Sequence, residues 1–292
     1  MNSFLGSLNK AILTPSSEFP KPPPRTVAPR SAINDDLREK LRELRNAKAD
    51  ELGIDSGLLA KQSQLNTLAD TIFGSWENRL EKANFMKWQQ NIWRDLIPLA
   101  KLPKTPQEFR TWAKDKLAAM SHNARTAESE DLVAVLSKHP VLEEGFIAAF
   151  FPNEFEPDIR LYLQKLCEEN RLLLPRIIKN ANGETSAEME FVFVGNLNND
   201  LEKGSFGIFE PHAGLPSIDK YEPPIIPSAF LVPGVVFGKD CGRIGHGKGY
   251  YDRCLSQFKN VPRLGIAYSA QVRSTLPQSA TDVKMNEVVY CK

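Results

Sequence analysis

Cysteine is scarce in this chain, with four in 292 residues. Cys167, Cys241, Cys254 and Cys291 stand far apart with no C-x-x-C pair, which excludes both the usual zinc module and a disulfide framework. A reduced, cytoplasmic setting is the expectation. Charge of one sign is missing too: 37 lysines and arginines face 36 acidic residues, a net charge of +1. A nearly neutral protein has no bulk electrostatic reason to seek nucleic acid or a membrane surface. No apolar run approaches the roughly 20 residues of a membrane helix, and the first residues lack the apolar core of a signal peptide.

Proline and glycine, in contrast, are concentrated. Pro20, Pro22, Pro23, Pro24 and Pro29 fall within residues 1–32, a composition that buries too little apolar surface to offset chain entropy and predicts a disordered arm. Glycine clusters between Gly242 and Arg253, which read G-R-I-G-H-G-K-G-Y-Y-D-R. Glycine lets successive backbone N–H groups converge on an anion, and Lys248 and Arg243 add charge. The apolar run Ala229 to Phe237 before it reads as one buried strand, and Tyr250 to Phe258 can start a helix. Strand, glycine loop and helix make a phosphate cradle. It is not a P-loop, because Gly249 stands where the magnesium-binding hydroxyl belongs, nor a dinucleotide loop, because Tyr250 replaces the third glycine.

The pattern R-x-G-x-G-K-G-Y-Y-D, formed by Arg243, Gly245, Gly247, Lys248, Gly249, Tyr250, Tyr251 and Asp252 and preceded by V-P-G-V-x-F, resembles the signature of the 5-formyltetrahydrofolate cyclo-ligases. The resemblance covers about 105–292 and continues in Gly207-Ile-Phe-Glu210-Pro and in the order Gln271, Leu276-Pro277, Asp282. It implies an α/β domain with a three-layer, mostly parallel sheet flanked by helices, and ATP-dependent closure of 5-formyltetrahydrofolate to 5,10-methenyltetrahydrofolate. It further implies Arg243 and Lys248 as catalytic cations. ATP would be held by Arg110, Arg243, Gly245, Gly247, Lys248, Gly249, Tyr250 and Tyr251, and the folate by Glu154, Phe150, Tyr250 and Tyr251, with magnesium on Asp252 and Asp282. Glu210 is a weaker candidate, since a glutamate before proline is usually solvated. Glu156 and Asp158 are read as carboxylates that bias the next helix start. The chain departs from the family where Pro106 takes the place of a lysine in the first helix, where Gly238 replaces an aspartate, and where His246 replaces an arginine.

Ahead of this region, Leu37, Leu41, Leu44 and Ala47 recur at helical spacing after Asn34, and Gly53 stops the helix. Three or four short helices follow, with Pro98, Pro103 and Pro106 as linker. The pattern R-x-x-x-A-x-x-L-G-I-D within 33–101 is similar to the start of the HRDC module of RecQ helicases and ribonuclease D. Between Ile33 and Lys101, however, eleven basic residues face eleven acidic ones, so the helices read as a packing or protein-contact module. Trp76, Trp88 and Trp93 read as core. Two other functions fit the pattern less well: a nucleotide- or phosphate-binding protein without turnover, and a tethering module for nucleic acid or protein fused to a degenerate enzyme.

Overall fold

The structure is a computed structural model and describes residues 31–180, 182–204 and 207–291. The expected proline-rich arm lies outside them except for Ser31 and Ala32, which are tied to Asp70: the Ser31 hydroxyl donates to one carboxylate oxygen (2.9 Å) and the Ala32 N–H to the other (3.1 Å). No helix among the described residues is long and apolar enough to cross a membrane.

Five helices come first: α1 (Asp35–Leu52), α2 (Ser56–Leu59), α3 (Gln62–Ala69), α4 (Trp76–Lys82) and α5 (Lys87–Leu96). Asn34 caps α1 by accepting from the Leu37 N–H, and Gly53 ends it at φ 64°, where a side chain would be strained. Leu37 and Leu41 pack on Leu65, Leu68, Leu80 and Trp93 in a core of their own. Trp93 is fully buried with its indole N–H on the Leu59 carbonyl, and Trp76 packs at the margin. Trp88 departs from expectation: it is 44% exposed, because α5 turns that face away from the other helices.

α6 (Pro106–Ala119) and α7 (His122–Leu136) follow. α6 begins at Pro106. Thr105 caps it, Glu108 returns a hydrogen bond to the Thr105 N–H, and Pro106 takes the first turn, where its missing N–H has no partner to lose. Pro106 thus opens the helix and is not linker.

The remaining elements are β1 (Phe146–Ala148), α8 (Arg160–Glu168), β2 (Leu172–Lys179), β3 (Thr185–Phe193), β4 (Leu201–Lys203), β5 (Phe209–Pro211), β6 (Pro227–Val232), β7 (Val236–Gly238), β8 (Arg243–Ile244), α9 (Tyr250–Leu255), β9 (Arg263–Ile266), β10 (Val272–Arg273) and β11 (Glu287–Val289). Six strands form the central sheet in the order β11-β9-β6-β1-β2-β3. All its pairs are parallel except the β2–β3 hairpin. Burial on both faces follows the two-residue period of a strand. Ile147, Leu172, Leu174, Ala229 and Leu231 pack on one face with α7 and α8, while Ala148, Leu173, Phe230 and Val232 pack on the other with Cys254 and Leu255 of α9. The result is the expected three-layer α/β arrangement.

The run Ala229 to Phe237 is two strands, not one. Pro233 and Gly234 break it, since proline cannot donate to a central ladder. β7 leaves the main sheet and pairs with β8 and β10 in a small second sheet. Gln271, only 1% exposed, bridges the break: its side-chain amide donates to the carbonyls of Gly234 (3.0 Å) and Val235 (3.2 Å). Those two acceptors would otherwise be buried without partners.

Candidate active site

Loops after β1, β6 and β9 leave the carboxyl edge of three neighbouring parallel strands, the place where open α/β sheets hold ligands. They are tied together there. The Tyr268 hydroxyl, after β9, donates to the Glu156 carbonyl, after β1 (3.1 Å), and Arg243 reaches the Pro233 carbonyl, after β6 (3.4 Å).

The glycine loop joins β8 to α9 at this edge. Gly247 (φ 91°) and Gly249 (φ 70°) lie in the left-handed region, so both positions require glycine on backbone grounds. A β-carbon on Gly247 would also sit 3.1 Å from the Arg110 guanidinium. Arg110 crosses from α6 and donates through Nε to the Gly245 carbonyl (2.8 Å). α6 is held there by Phe109 and Ala113, which pack on Val236, Ile244 and Leu276. Lys248 is exposed on the loop, and its ammonium has no partner among the described residues. Desolvation, then the charges of Arg110 and Arg243, hold the exposed His246 imidazole below the usual histidine range. A neutral imidazole here supplies no fixed cation to the loop.

Arg243 is placed differently from expectation. It is 8% exposed and pairs through Nη2 with Asp252 Oδ2 (2.9 Å), with its guanidinium 5.6 Å from the Tyr251 ring. It pins the loop to the first turn of α9. Asp252 is correspondingly occupied, since its other oxygen accepts from the Val283 N–H (3.2 Å). Asp282 accepts from the Ser279 N–H (2.7 Å). Asp252 and Asp282, the expected magnesium pair, are thus each engaged by donors of the protein itself. No cluster of three or more candidate ligands for a metal ion occurs among the described residues.

Tyr250 donates to the Ser186 carbonyl (2.9 Å). Arg253 caps the Ala187 and Lys248 carbonyls and lies 5.4 Å from the Tyr250 ring. Tyr250 and Tyr251 thus brace the loop against β3 and the core, and burial, then the Glu156 charge, pushes the Tyr251 phenol upward.

Among the residues expected to meet the folate, Glu154 is exposed on the loop after β1, where its carbonyl accepts from Arg125 (3.1 Å). Phe150, expected to meet the folate, is 3% exposed and belongs to the core. Its neighbour Phe151 is half-buried at the margin of the same core and packs on Phe209, itself 48% exposed, at 5.5 Å. Sequence reasoning did not single out Phe209. The doublet Phe150-Phe151 carries no signal for which ring turns inward. Glu210 is 7% exposed and accepts from the Ile177 N–H (3.2 Å), so it is not a solvated turn residue.

Glu156, expected to serve the start of α8, is instead 9% exposed, with its carboxylate on the Asn153 N–H (3.0 Å). Asp158 takes the helix-start role, accepting from the Arg160 N–H (3.1 Å). Burial pushes the Glu156 carboxyl up to about 7 from an ordinary 4.5. The folded chain keeps a proton between those values that the unfolded chain releases. This contribution to stability is full below about pH 4.5 and lost as pH rises through about 7, a change of about 3 kcal/mol. Glu156→Gln is expected to flatten that part of a Tm-against-pH curve and to be more stable than the wild type at pH 8. Parallel curves for the two proteins between pH 4.5 and 8 would contradict it.

The model of the 5-formyltetrahydrofolate cyclo-ligase family matches residues 104–291. The chain belongs to this family. A probable 5-formyltetrahydrofolate cyclo-ligase of Caenorhabditis elegans is 26% identical over 200 residues, covering 66% of this chain and 95% of that one. The 5-formyltetrahydrofolate cyclo-ligase of Mycoplasma pneumoniae is 32% identical over 146 residues, 49% of this chain and 70% of the relative. The NMR structure of Aquifex aeolicus 5,10-methenyltetrahydrofolate synthetase superposes with a TM-score of 0.53 at 28% identity, over 63% of this chain and 89% of that structure. The family match begins at the approach to α6 and leaves α1 to α5 outside it.

Proposed function

We propose that the chain uses ATP to close 5-formyltetrahydrofolate to 5,10-methenyltetrahydrofolate, with release of ADP and phosphate. An amide-type oxygen is a poor leaving group. Transfer of the γ-phosphoryl group to the formyl oxygen makes it a good one; the nitrogen at position 10 then attacks the formyl carbon, phosphate departs, and that nitrogen loses its proton. The observation that carries the reading is the exposed, unpartnered Lys248 ammonium on a glycine loop braced by Arg110, next to the loop that bears Glu154. A fixed cation beside converging N–H groups stabilises charge on a moving phosphoryl group.

In this reading Lys248 and the backbone of Gly245 to Gly249 meet the phosphates. Arg243 and Asp252 hold the loop's shape, and Glu154 with the Phe151–Phe209 pair meets the pterin. Magnesium travels on the phosphate oxygens of ATP, and no step is assigned to it. Residues 33–101 are read as a helical module and 105–292 as the enzyme domain, in a cytoplasmic setting suited to four free cysteines. The test is absorbance of methenyltetrahydrofolate formed from 5-formyltetrahydrofolate and ATP with magnesium. A folded protein that binds ATP and forms no product would leave the non-catalytic, nucleotide-binding reading in its place.

A further inference from the structure

The α1–α5 module lies outside the family match, yet it is fastened to the scaffold of the glycine loop. Asp36, in the first turn of α1, accepts the Ser274 N–H on both carboxylate oxygens (3.0 and 3.2 Å) and pairs with Arg273 Nε at 3.4 Å. The two side chains are only 17% and 8% exposed. The Arg273 guanidinium lies over the Trp112 ring of α6, 4.4 Å from its centre. Seven positions after Asp36, on the same face of α1, Glu43 pairs with Lys116, which stands one turn beyond Trp112 on α6. The carboxylates of Asp36, Glu43 and Glu39 all act on Arg273 against the cost of its burial.

Both anchors lead to the loop. α6 carries Arg110, whose Nε holds the Gly245 carbonyl. The segment after Arg273 runs through Leu276, whose N–H approaches Asp240 (3.5 Å), to Gln278, which lies against Gly242. A shift of α6 or of Ser274 therefore changes the two supports on either side of Gly242 to Gly249.

We propose that Asp36 and Arg273 are positioning residues for the nucleotide loop, so that the added helical module sets Arg110 and the glycine backbone in register for ATP. This rests on the reading of that loop as the phosphate site. It predicts that the module acts on nucleotide use from within the chain, and it needs no nucleic acid, consistent with its balanced charge.

The test uses the full chain with Asp36→Asn, which keeps a hydrogen-bond acceptor but removes the charge. The control is Leu65→Ala, which weakens the module's own core without touching α6. Hydrogen exchange of the Gly245 to Lys248 amides is expected to quicken about tenfold in Asp36→Asn and to stay within about twofold in the control. KM for ATP should rise about fivefold with kcat and the folate KM within about twofold, and adding Arg110→Ala should change KM for ATP much less than it does alone. Unchanged loop exchange in Asp36→Asn, or a rise in both KM values alike, overturns the proposal. Absence of turnover in the wild type would count against the functional reading alone, because loop exchange is read without any substrate.

Discussion

Lys248→Ala is expected to lower turnover of 5-formyltetrahydrofolate by about 10²- to 10³-fold, the usual effect of deleting one preorganised charge from a site where charge develops. The ammonium is exposed and unpartnered among the described residues, so its loss should leave stability within about 0.5 kcal/mol of the wild type. That separation makes the result readable: activity falls while Tm stands still. If the ammonium acts only as the phosphoryl group moves, kcat and kcat/KM fall together; if it merely binds ATP, KM alone rises. Lys248→Arg should restore only part of the loss, because a planar fork does not reproduce a compact point charge. Turnover within about threefold of the wild type in Lys248→Ala would remove this residue from the mechanism.

Asp252→Asn should have the opposite signature, a loss of stability first. Its carboxylate neutralises Arg243, whose side chain is only 5% exposed. Removing one partner of a buried pair leaves the other charge uncompensated, at a cost of about 3 kcal/mol, or a fall in Tm on the order of 10 °C for a domain of this size. The Val283 contact weakens as well, which loosens the segment carrying Asp282. Because Asp252 already serves two protein donors, the magnesium concentration that half-saturates ATP use should change by less than about twofold below the new Tm. An unchanged Tm together with a tenfold higher magnesium requirement would show instead that Asp252 is a metal ligand.

The parts of this protein that were legible in its sequence are those governed by neighbours in the chain. Asn34 and Gly53 mark helix ends because capping involves residues a few positions away, and Asn34 does accept the Leu37 N–H. The glycine loop and its lysine stand out for the same reason, as does the apolar run from Ala229 whose first part lies in β6. Hydrophobicity alone could not say that Pro233-Gly234 sends β7 into a second sheet, since that depends on Gln271 arriving from 37 residues later to take the freed carbonyls.

Charged and aromatic side chains were the least legible. Glu156 and Glu154 are two residues apart, yet one is buried and the other exposed, because Asn153 and the Tyr268 loop close over Glu156. Phe150 and Phe151 divide between the inside of the core under α7 and its half-buried margin beside Phe209. Arg243 looked like a phosphate ligand by its place in the motif, and nothing in the sequence singled out Asp36. Arg243 found its partner nine residues on, in Asp252 across the loop, and Asp36 found its own far along the chain, in Arg273 over Trp112. Sequence by itself determined the helix ends and the glycine loop, both set by local spacing and backbone freedom, and through its family resemblance the fold class. Only the tertiary structure decided which carboxylates and cations are spent on one another, because a buried charge takes its role from whatever distant group neutralises it.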